Sequence, residues 1–74
     1  MRVAFVGLAH SHPYADAANL TDRGAEIVGA QDTDAAAATA FVARFGGTAV
    51  ATVEDVHTLA PDLVIATPRA DEAV

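Results

Sequence analysis

Arg2-Val3-Ala4-Phe5-Val6-Gly7-Leu8-Ala9-His10-Ser11-His12-Pro13 passes from an apolar strand, through a glycine break, to a helix start within twelve residues. The opening run has almost no polar interruption, which suits a short strand covered on both faces, as in a parallel sheet. Gly7 interrupts it, and Pro13 suits the first turn of a helix beginning at Ser11 or His12. A strand that turns tightly into a helix directs free backbone N–H groups at one spot. Together with the helix dipole, they favour an anion, most often a phosphate. The stretch therefore predicts the first β-turn-α of a dinucleotide-binding fold.

Working outward, the first helix runs to about Arg23, with Gly24 as its C-terminal cap and Tyr14, Ala17, Ala18 and Thr21 on one face. A second strand covers residues 26–30 and ends at Gln31-Asp32. Asp34 then caps a helix through Phe45, whose buried stripe is Ala38, Phe41, Val42 and Phe45. Gly46-Gly47 stops that helix, and a third strand is expected over residues 49–51. Thr52 starts a brief helix, with Asp55 as a capping-box variant, Val56, Leu59 and Ala60 facing inward, and Pro61 as its end. Leu63-Val64-Ile65-Ala66 is the fourth strand, closed by Thr67-Pro68, and Asp71-Glu72 reads as the first turn of a further helix. This β-α-β-α-β-α-β alternation implies an α/β fold, a Rossmann-like doubly wound parallel sheet of about four strands and three helices. One domain spans residues 1–74, with no internal linker or repeat.

Composition narrows the function classes. The 74 residues carry a net charge of -6, from ten acids against four arginines (Arg2, Arg23, Arg44, Arg69) and no lysine. That balance argues against nucleic acid and against anionic membranes as partners. Without lysine there is no P-loop, so a bound phosphate has to be held mostly by backbone dipoles. There are no cysteines, hence no disulfide or thiolate metal site. No apolar run approaches the roughly 18 residues of a membrane span, and the N-terminus lacks a signal-peptide pattern; a cytoplasmic protein is expected.

In a doubly wound sheet, ligands lie beyond the C-terminal ends of the strands. Gly7 to His12, Asp32 and Thr67-Pro68 all fall there. Asp32 stands 25 residues after Gly7, close to the roughly 20-residue separation of an acid that binds an adenosine ribose. A carboxylate there repels a 2′-phosphate, which favours NAD over NADP. Set against G-x-G-x-x-G, the loop presents Gly7, Ala9 and His12. The competing reading is that Gly7 only makes a turn and Asp32 is solvated.

Three pieces of sequence, V-A-F-V-G-L-A-H-S-H, E-I-V-G-A-Q-D-T-D and P-D-L-V-I-A-T-P, together resemble the N-terminal domain of the glucose-fructose oxidoreductase/inositol dehydrogenase (Gfo/Idh/MocA) family over the whole chain. The resemblance implies that Gly7, Leu8, Ala9 and His10 line the pyrophosphate, with His12 at the same helix start. It places Asp32 on the ribose, and Thr67 and Pro68 beside the nicotinamide. It implies an NAD(P)-dependent oxidoreductase acting on sugars, polyols or related small molecules, with NAD as the cofactor. That family's catalytic Glu-Lys-Pro segment and substrate domain would lie beyond Val74, so the chain is expected to be an N-terminal part with no catalytic residue of its own.

Two other classes stay open. The reduced glycine motif suits a non-catalytic Rossmann-like binding or assembly module. His10-x-His12 also has the spacing of a strand-end metal pair in amidohydrolase-type enzymes, although divalent metals need further ligands, and His57 is expected at the surface. A helix-start pair bonded to backbone is the plain alternative for these histidines. Self-association is expected through an unpaired edge at the fourth strand.

Overall fold

The computed structural model describes residues 1–8 and 12–66. The elements follow in the order β1 (Arg2–Val6), α1 (His12–Asp22), β2 (Glu26–Gln31), α2 (Ala35–Phe45), β3 (Thr48–Val50), α3 (Val53–Thr58) and β4 (Leu63–Ala66). All four strands are parallel, in the order β3-β2-β1-β4, so the fold is Rossmann-like. From β1 the chain steps twice to one side. It then crosses to the far side of β1 for its last strand.

β1 lies at the centre, and its apolar run explains why: Val3, Ala4 and Phe5 are completely buried. Alternate side chains point to opposite faces. Val3, Phe5 and Ile27 meet Ala17 of α1 and Ala38 and Phe41 of α2 on one face, where Phe5 and Phe41 pack at 5.1 Å between ring centroids. On the other face Ala4 and Val28 meet Val56, with Val6, Val50, Leu59 and Val64 partly buried around them. Two helices therefore cover one face and, among the described residues, α3 covers the other.

The β1–β2 register shifts between Val3, opposite Ile27, and Ala4, opposite Gly29, which leaves Val28 as the extra residue of a β-bulge. Gly29 then lies directly under α3's trailing residue. A methyl there would run into the Leu59 Cδ1 and come within 2.8 Å of the Thr48 carbonyl oxygen.

Several boundaries differ from the sequence expectation for identifiable reasons. β3 sits one residue earlier than 49–51, because Gly29, Ala30 and Gln31 pair with Thr48, Ala49 and Val50. In α1 the buried positions are Pro13 and Ala17, with Leu20 packed beside them, whereas Thr21 is exposed and donates its hydroxyl to the Ala17 carbonyl. α3 ends at Thr58, before Pro61, and Ala60 is exposed at φ 54° rather than facing inward. Arg2 holds this end. Its guanidinium donates to the carbonyls of Leu59 (2.8 Å) and Ala60 (3.3 Å), groups that a helix end otherwise leaves to solvent. The two expected N-caps form: Asp34 accepts from the Ala36 N–H and Thr52 from the Asp55 N–H. Residues 71 and 72 lie outside the described residues.

Candidate functional site

Gly7 ends β1 with φ 89°, a left-handed conformation that a glycine adopts without steric penalty. The turn points two successive amides at the end of β2. Gly7 N–H donates to the Gln31 carbonyl at 2.8 Å, and Leu8 N–H donates to Asp32 Oδ2 at 3.1 Å. The loop opened by Gly7 and the acid that the spacing singled out are thus joined, through Leu8, on the C-terminal rim of adjacent strands.

Asp32 is buried, with 5% of its surface exposed. A carboxylate taken from water needs donors, and the segment just after β2 supplies them. Its Oδ1 accepts from the Thr33 hydroxyl at 3.2 Å and, more weakly, from the Asp34 N–H at 3.4 Å. Asp34 in turn caps α2, so the chain runs from strand through carboxylate into helix start with its amides directed at the two acids. The expectation that Asp32 might stand in solvent is not met.

Beyond the ends of β2 and β3 lies a cleft of about 420 Å³, floored by Asp32 and Thr33 and walled by Ala35 and Ala38 of α2 and by Val50 and Ala51. Gln31, also buried, reaches across it and donates from Nε2 to the Ala51 carbonyl at 3.2 Å, tying β2 to the loop that leads into α3. Sequence reading passed over this link. The signal was a polar side chain as the last residue of an otherwise apolar strand.

His12 is the first residue of α1 and is exposed, on the same rim. Ala9, His10, Thr67 and Pro68 lie outside the described residues, so the pyrophosphate and nicotinamide sides of the expected site are represented here by Gly7, Leu8 and His12 alone. His57 is exposed on α3, as expected. Among the described residues no three His, Cys, Asp or Glu side chains come together as metal ligands, and no helix is long and apolar enough to cross a membrane.

Comparison with known protein families, with curated proteins and with solved structures finds no match to this chain. The fold and the site geometry therefore carry the functional argument.

Proposed function

We propose that this chain is the dinucleotide-binding part of an NAD-dependent oxidoreductase acting on sugars, polyols or related small molecules. The observation that carries the reading is the contact between the Gly7 turn and the Asp32 carboxylate, with a cleft opening beside Asp32. A glycine turn ahead of a helix start is an anion site. An acid at the end of the neighbouring strand is a partner for ribose hydroxyls, and the alanine-lined cleft beyond it has room for a flat base. For a ribose to reach Asp32 Oδ1, the exposed Thr33 side chain swings aside and a sugar hydroxyl takes over its hydrogen bond. Hydride transfer itself is assigned to none of the described residues; their part is to bind and orient the cofactor. A resident Asp32 negative charge also makes NADP the poorer ligand.

One observation favours a second reading, a non-catalytic Rossmann-like module. Asp32 accepts from Leu8 in the loop after β1 and from Thr33 and Asp34 in its own loop, so the carboxylate also serves as a brace between two loops. Isothermal titration with NADH and NADPH separates the two. The oxidoreductase reading expects saturable heat with NADH, weaker heat with NADPH, and at least about tenfold weaker NADH binding in Asp32→Asn, a loss on the scale of one charged hydrogen bond. No saturable heat at millimolar NADH, on protein shown to be folded, overturns it and leaves the brace.

A further inference from the structure

β4 is an edge strand: β1 pairs with one side of it, and among the described residues nothing pairs with the other. The opposite edge, β3, is only three residues long, which blunts it. β4 is different. Asp62 N–H donates to the Arg2 carbonyl at 2.8 Å just ahead of the strand, and bonding in a parallel ladder alternates along each strand. Across β1, Met1 and Gly7 bond to β2, so Arg2, Ala4 and Val6 face β4; in the register of Ala4 with Val64, Leu63 and Ile65 bond inward to β1, while Val64 turns its N–H and C=O to the outside.

The side chains of Leu63 and Ile65 form the floor of a groove of about 430 Å³ whose wall is Asp16, Asn19, Leu20 and Arg23. Leu63 is 39% exposed there, unusual for a leucine in a strand. The groove's wall has an acid at one end, Asp16 on α1, and a base at the other, Arg23 in the turn just past the helix. Its midpoint falls between Asn19 and Leu20, and the midpoint of its floor is Val64. Neither Asp16 nor Arg23 forms an ion pair among the described residues.

We propose that this groove and edge form an isologous interface with a second copy of the chain. A two-fold axis through Val64 places the β4 strands antiparallel, with Leu63 of each copy opposite Ile65 of the other. The outward N–H and C=O of Val64 in each copy then bond those of Val64 in the other, a pair of interchain backbone hydrogen bonds on the axis. The two sheets become one continuous sheet, with both α1 helices on the same face and running in opposite directions. The first β1 and its symmetry mate lie three strand spacings apart, about 14 Å, leaving a trough that Leu20, Leu63 and Ile65 of both copies fill. The acid end of each wall faces the basic end of the other, so Asp16 is set against Arg23 across the axis, twice. A surface that is its own electrostatic complement selects a second copy over an unrelated partner.

Sedimentation velocity from micromolar to millimolar protein, without cofactor, tests this directly. The chain is expected to dimerise. Asp16→Arg or Arg23→Asp alone makes both cross-axis pairs repulsive and weakens the dimer by at least about tenfold. An equimolar mixture of the two variants restores heterodimers, because each then supplies the charge the other lacks; the double variant Asp16→Arg/Arg23→Asp restores homodimers. Circular dichroism confirms that each single variant is folded, and rescue on mixing is itself an outcome that misfolding would not produce. A strictly monomeric chain, as when another segment of the same chain occupies the edge, overturns the proposal. So does a dimer indifferent to all three variants, which would use another surface.

Discussion

Asp32 satisfies two loops at once, and the cost of losing it follows from which donors it leaves behind. In Asp32→Ala the Leu8 N–H, on a residue only 6% exposed, has no acceptor. An orphaned buried amide costs about 2 kcal/mol, which in a domain of this size lowers the melting midpoint by about 10 °C. Thermal denaturation followed by circular dichroism should show that drop. An unchanged midpoint would mean that the amide is already hydrated. The proximity of Gly7 and Asp32 was legible from their spacing, because adjacent parallel strands bring their C-terminal ends to one rim. The bond that ties the two loops, from the Leu8 N–H to the Asp32 carboxylate, was not. It depends on a backbone amide, which every residue but proline offers, and on Gly7 adopting φ 89°, which sequence permits without requiring. Ala9, His10, Thr67 and Pro68, also expected on that rim, fall outside the described residues.

At the scale of elements, β2 shows where pattern reading runs short. Its apolar alternation predicts a strand, but a strict period of two does not foresee the bulge at Val28, which turns Val28 and Gly29 toward the same face. Gly29 reads in sequence as a mere weakness in a strand; in the fold it makes room for Leu59. Gly29→Ala should therefore destabilise by about 1–3 kcal/mol through overpacking, since the leucine can shift but the Thr48 carbonyl cannot. Urea titration measures this, and a variant as stable as the parent would show that β3 gives way freely. α3 presents the converse case. Its N-cap at Thr52 was legible because the signal is local. Its end was not, because the groups that hold it belong to Arg2, at the other end of the sequence.

For the whole molecule, alternation of strands and helices is enough to imply a parallel, doubly wound sheet, and the four-stranded arrangement has that form. The order of the strands is a different kind of fact. A fourth strand could join either edge without any change in local pattern. Its position beside β1 is set by which sheet face α3 can bury Val56 against. That placement also puts the change of direction between β1 and β4, where the general rule for open α/β sheets locates the ligand crevice.

The pairing of β4 with β1 has one more consequence, for the order of events during synthesis. Asp62 and Arg2 exchange backbone and carboxylate hydrogen bonds across 60 positions of sequence. Val3 and Phe5 thus emerge from the ribosome well ahead of β4, the strand that flanks them on one side. Contacts of such separation pay a large loop-closure entropy before they return any stabilisation. A nascent chain released at Thr58 should accordingly show no cooperative thermal transition, whereas one extended through Ala66 should. A cooperative melt in the shorter chain would mean that β1 needs only its earlier partners, and that assembly can begin before translation reaches β4.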